Sequence, residues 1–129
     1  SFYLVDLPGY GYTSLPKEVT ARWGEMIEGY LSRRERINGV ILLMDIRRDV
    51  DDKDLIMIEW LNRYKIPYII AVTKSDKLAR GKRLQAINNI RDSLKMSGAV
   101  AFICSSSKTD EGKKELLKEI GLFLKGKKN

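Results

Sequence analysis

Two uninterrupted apolar runs constrain this chain more than any other feature. They are Val40-Ile41-Leu42-Leu43-Met44, opened by Gly39, and Tyr68-Ile69-Ile70-Ala71-Val72, opened by Pro67. A run apolar throughout, with no alternation, is the mark of a strand buried on both faces of a parallel sheet. Residues 99–104 and the opening Phe2-Tyr3-Leu4-Val5 also read as strands. Between the runs, apolar residues recur at spacings of three and four, the helical period. From about Pro16, which suits a first turn, Val19, Trp23, Met26, Ile27, Tyr30 and Leu31 form one stripe. Leu55, Ile58, Trp60 and Leu61 form another, behind a cap at Asp51 or Asp52. Leu84, Ile87, Ile90 or Arg91, and Leu94 mark a basic helix over 80–96. Leu116, Leu117, Ile120, Phe123 and Leu124 mark a last helix over 111–124. Apolar strands alternating with amphipathic helices predict an α/β domain, a mostly parallel sheet with helices on both faces.

The chain of 129 residues fits one domain with a real core. No apolar run approaches a membrane span and no leader pattern is present, which argues against secretion. The single Cys104 excludes an internal disulfide and fits a reducing, cytoplasmic setting. It sits in an apolar run and reads as a buried, inert thiol. The absence of His excludes imidazole acid–base catalysis and His-ligated metal. A net charge of +7, concentrated in residues 77–91 and 113–128, suggests an anionic partner.

Candidate site residues fall at strand ends, the edge of an open α/β sheet where ligands bind. The second long run delivers Thr73-Lys74-Ser75-Asp76. A carboxylate at Asp76 is acceptor-only, with two oxygens side by side. Guanine offers two adjacent donors, its ring N1–H and its exocyclic amine, so the match is bidentate and charge-assisted. Adenine lacks that donor pair, and the preference is on the order of 10⁴-fold. The Lys74 stem would lie flat on the base. Asp6-Leu7-Pro8-Gly9 ends the first run. In P-loop nucleotide hydrolases such an Asp holds magnesium, often through water, and the Gly amide reaches the terminal phosphate. Ser105-Ser106-Ser107 follows the last strand, where a small residue could offer a backbone amide to the guanine carbonyl.

Taken together, residues 2–12 (F-Y-L-V-D-L-P-G-Y-G-Y), Thr73-Lys74-Ser75-Asp76-Lys77-Leu78 and Ser105-Ser106 resemble the EngB group of bacterial Ras-like GTPases. The resemblance extends to Asp45-Ile46-Arg47 and Ile58-Glu59-Trp60-Leu61; Thr13 and Ser75 depart from the usual Ala. It implies a P-loop GTPase domain that binds GTP and GDP with magnesium. It implies a role in assembling the large ribosomal subunit, with ribosomal RNA and proteins as partners, and in normal cell division and septation. Asp6 would be the magnesium ligand, and Gly9 and Tyr10 the candidate catalytic positions. Ras-like enzymes carry a Gln where Tyr10 stands, so slow intrinsic turnover is expected, raised on the ribosome by an RNA or protein group or a potassium ion. Residues 8–15 would be the switch.

The phosphate-cradling string G-x-x-x-x-G-K-S/T does not occur in this sequence. The resemblance therefore places residues 1–129 in the C-terminal portion of a single G domain, with the P-loop and first switch outside it. In the family sheet the P-loop strand lies between residues 2–6 and the run at 40–44. Without it, residues 2–6 lack a neighbour and the inner faces of several helices are expected to be uncovered. Two other readings remain open: a non-catalytic guanine-nucleotide or RNA-binding module, and an unrelated receiver-like α/β domain in which Asp6 and Asp45 are acidic strand ends.

Overall fold

The structure is a computed structural model that describes residues 2–6, 17–94 and 98–126. Helix α1 spans Lys17–Leu31, and a short 3-10 turn follows at Arg34–Arg36. Strand β1 is Val40–Asp45, helix α2 Asp52–Arg63, and strand β2 Tyr68–Thr73. A 3-10 turn at Ser75–Lys77 leads to helix α3, Arg80–Leu94. Strand β3, Ala101–Cys104, and helix α4, Lys113–Gly126, complete the described chain. The strands form one parallel sheet in the order β1-β2-β3. The register pairs Asp45 with Thr73 and Val72 with Cys104, so all three strands end on one edge.

The central strand is buried on both sides, as its apolar run requires: Tyr68 to Val72 are each at most 1% exposed. One sheet face presents Leu42, Met44, Tyr68, Ile70 and Val72. Against it pack Trp23, Ile27 and Leu31 of α1, Met57, Ile58 and Leu61 of α2, and Ile90 and Leu94 of α3. Trp23 and Trp60 stack between α1 and α2 with ring centroids 6.3 Å apart. On the other face α4 lies against β3, and Asn38 donates to the Phe123 carbonyl at 3.2 Å.

Several expectations change. Residues 2–6 form no strand, and Phe2, Tyr3, Leu4 and Val5 are exposed. Among the described residues no strand pairs with them, and an unpaired strand leaves its backbone groups to water. The inner faces of α1, α2 and α3 are nevertheless covered: Ile27, Leu31 and Leu61 have no exposed surface. The incomplete coverage lies on the other sheet face, where Leu43 is 62% exposed beside the fully buried Ala71. The helical stripes are also narrower than the spacing suggested. Met26, Leu55, Leu84 and Leu117 are exposed, while Met57 and Asp54 turn inward. Each exposed residue sits at the rim of its stripe, beyond the reach of the sheet. The last helix opens at Lys113 rather than 111, and the last strand at Ala101 rather than 99.

Candidate functional site

The carboxyl ends of β1, β2 and β3 place three short loops side by side. The first begins at Asp45. Its side chain is only 3% exposed and is gripped by its near neighbour Arg47. The Arg47 N–H and Nε donate to Asp45 Oδ1 at 2.9 and 3.1 Å, and Nη2 donates to Oδ2 at 2.8 Å. The Arg47 guanidinium holds the Asp45 carboxyl down to about 2, against burial, which pulls the other way.

The second loop follows β2. Thr73 sits opposite Asp45 in the sheet, and its carbonyl accepts the Ile46 N–H at 3.0 Å. Lys74 turns the chain in the left-handed region, at φ 59 and ψ 36. Its Nζ reaches Asp45 Oδ2 at 3.6 Å, which pins the end of the Lys side chain to the neighbouring strand. Ser75 is fully buried and Asp76 half-buried.

The third loop follows β3. The Ser105 N–H donates to the Val72 carbonyl at 2.7 Å, and the Ser105 carbonyl accepts the Ser75 N–H at 3.1 Å. The buried Ser106 hydroxyl donates to Asp76 Oδ1 at 2.7 Å and accepts the N–H groups of Lys108 and Thr109 at 3.2 Å. That hydroxyl, more than Lys77 and Lys108, holds the Asp76 carboxyl below its usual range, so Asp76 is a carboxylate at neutral pH. The Ser106 N–H goes to the Glu111 carbonyl at 3.1 Å. Among the described residues no hydrogen bond takes the Ser107 N–H. Gly112 closes the loop at φ +76, and a Cβ there would run into the Cys104 carbonyl. Burial, with Glu111 nearby, pushes the Cys104 thiol up, which keeps it an inert thiol.

Thr73, Lys74, Asp76, Ser105, Ser106 and Ser107 are thus brought to one edge. Asp6 is exposed in the irregular segment 2–6, and no hydrogen bond or ion pair among the described residues ties it to that edge. Gly9 and Tyr10 lie outside the described residues. The sequence reading overlooked Asp45, Arg47 and Glu111 as members of this site. Asp45 carries a signal, since it ends an apolar run as Asp6 does. Glu111 carries none, because its partner Ser75 is 36 residues away.

Comparison with known proteins decides the family. The family described as Elongation factor Tu GTP binding domain matches residues 24–125. The chain belongs to that family, as an EngB-type member. It is similar to the "Probable GTP-binding protein EngB" of Desulforamulus reducens, at 42% identity over 95% of this chain and 60% of the relative. It is likewise similar to the protein of the same name from Kosmotoga olearia, at 44% identity over 91% of this chain and 62% of the relative. A solved structure described as "Crystal structure of a probable GTP-binding protein engB" superposes with a TM-score of 0.73 at 25% identity, covering 94% of this chain and 75% of that one. The parallel sheet with its flanking helices is therefore that of a GTPase domain. This member spans about 60% of the length of the first of these relatives. No helix among the described residues is long and apolar enough to cross a membrane.

Proposed function

We propose that the 73–76 and 105–107 loops form the guanine-reading part of a GTP- and GDP-binding site. The observation that carries this reading is the Asp76 carboxylate, ionised, half-buried and held by Ser106 at 2.7 Å on the sheet edge. A carboxylate so held presents a fixed acceptor to the N1–H and amine of guanine. The Lys74 stem, tied at its tip to Asp45, supplies a wall for the base. The Ser107 N–H is the amide left for the guanine carbonyl.

In this reading the whole protein hydrolyses GTP to GDP as a switch in assembly of the large ribosomal subunit, with a role in cell division and septation, in the cytoplasm. The EngB relatives and the net charge of +7 support it; a basic surface suits ribosomal RNA. Asp6 suits magnesium as a hard oxygen donor exposed to solvent, since magnesium takes one or two carboxylates together with substrate phosphates. When bound there, magnesium would neutralise phosphate charge. Gly9 and Tyr10 remain the candidate catalytic positions, with potassium a candidate for completing the site.

The test is binding of a fluorescent guanine nucleotide, competed with GDP, XDP and ADP, in the wild-type chain and in Asp76→Asn. GDP should compete and ADP should not. Asp76→Asn should lose about a thousandfold or more for GDP and gain for XDP, whose carbonyl replaces the amine donor. Equal competition by ADP, or no change in Asp76→Asn, overturns the reading.

A further inference from the structure

Ser75 and Glu111 stand on different loops of the site, 36 residues apart, yet meet directly. The Ser75 hydroxyl donates to Glu111 Oε1 at 2.5 Å, and Arg83 Nη1 of α3 reaches the same oxygen at 3.3 Å. Ser75 is fully buried, so its hydroxyl needs an acceptor within the protein. What exceeds that need is the choice of acceptor: a charged carboxylate on the opposite loop, itself shared with a cation. A hydroxyl bonded to a carboxylate is stronger than a neutral pair.

The bonds form a closed circuit. Ser75 is the chain neighbour of Asp76. Asp76 accepts from the Ser106 hydroxyl at 2.7 Å. The Ser106 N–H donates to the Glu111 carbonyl at 3.1 Å, and the Glu111 carboxylate returns to Ser75. Glu111 thus holds Ser106 with its backbone and Ser75 with its side chain. Both residues that set the place of Asp76, one through the chain and one through a hydrogen bond, depend on it. Linked hydrogen bonds of this kind hold a geometry more tightly than the separate pairs.

We propose that Glu111, clamped by Ser75 and Arg83, is a positioning residue that sets the orientation of the Asp76 carboxylate and thereby the selection of guanine over a base lacking the 2-amino group. The selection half rests on the guanine reading above; the positioning half rests on the circuit alone.

The experiment uses the whole 129-residue chain, wild type and the variants Ser75→Ala, Glu111→Ala and Glu111→Gln. Carbon-detected NMR follows the Asp76 carboxyl through an acid titration, and thermal melting monitors the fold. The Asp76 midpoint should rise towards the ordinary carboxylate range in Ser75→Ala and Glu111→Ala as the Ser106 contact loosens. Glu111→Gln keeps an acceptor for Ser75 and should retain most of the wild-type behaviour. Competition by GDP and IDP should show the GDP preference falling about tenfold in Ser75→Ala. A purely structural bond would lower the melting temperature and leave the Asp76 titration unmoved; that result in Ser75→Ala overturns the proposal, whether or not Glu111→Ala folds. Equal competition by GDP and IDP in the wild-type chain overturns the selection half and the guanine reading together, while the titration still decides the positioning half.

Discussion

At Asp45 a buried carboxylate is met by the Arg47 backbone and guanidinium and, at 3.6 Å, by the Lys74 ammonium. Its charge is stabilised in the fold, so its ionisation is linked to stability. A carboxyl titrating at about 2 rather than at 3.8 contributes about 2 kcal/mol. The folded value is the depressed one, so this contribution is complete above about pH 4 and is lost as the pH falls through about 2. Urea unfolding of wild type and Asp45→Asn should differ by about 2 kcal/mol near pH 6, with the gap closing towards pH 2. A constant gap would mean that Asp45 acts by packing, not charge. The sequence showed Asp45 as an acid at a strand end and Arg47 two residues on. It could not show Lys74 as a partner, because that contact exists only once β1 and β2 pair in register. Lys74 itself lies in a left-handed turn that costs about 1 kcal/mol for a residue with a Cβ, and nothing in the string T-K-S-D announces it.

At the scale of elements, local chemistry was legible where partners are close in sequence. The cap of α2 is Asp51, whose side chain accepts from the Asp54 N–H while Asp54 accepts from the Asp51 N–H, each at 3.0 Å. Such a box is written in four consecutive residues. The loop from β3 to α4 is less legible. Asp110 and Gly112 both take positive φ, at 63 and 76, so the chain can return beneath the Cys104 carbonyl. Gly112→Ala puts a methyl group onto that carbonyl in a conformation Ala avoids. It should cost about 2 kcal/mol or more in chemical unfolding, and amide exchange should show the 105–112 loop loosened. The helix faces mark the limit of periodicity. Spacing found the stripes, but Leu55, Leu84 and Leu117 lie at rims that no neighbouring element covers. Met57 instead joins the core cluster, at 5% exposure.

At the scale of the molecule, the two sheet faces differ in how well they are covered. Three helices close one face over Leu42 and Met44, while on the other, where α4 lies against β3, Ile69 and Ala71 are buried but Leu43 is not. Adjacent leucines therefore report the two faces. Leu42→Ala should destabilise by about 2–4 kcal/mol, because Leu42 is 6% exposed in the core; Leu43→Ala, at 62% exposure, should cost less than about 1 kcal/mol in the same urea measurement. Equal losses would mean that a further segment covers Leu43 in solution. Composition and pattern alone determined the α/β class, the order of elements from the first helix onward, the parallel character of the sheet and the strand-end positions of Asp45, Lys74, Asp76 and the 105–107 serines. These follow from rules of short range: side-chain period, turn chemistry and the burial of uniformly apolar strands. The tertiary structure alone decided that residues 2–6 stay unpaired, that Asp45 captures Lys74 and that Glu111 ties Ser75 to Ser106. Each of these depends on groups far apart in the chain, and their distances are set only when strands pair and helices pack.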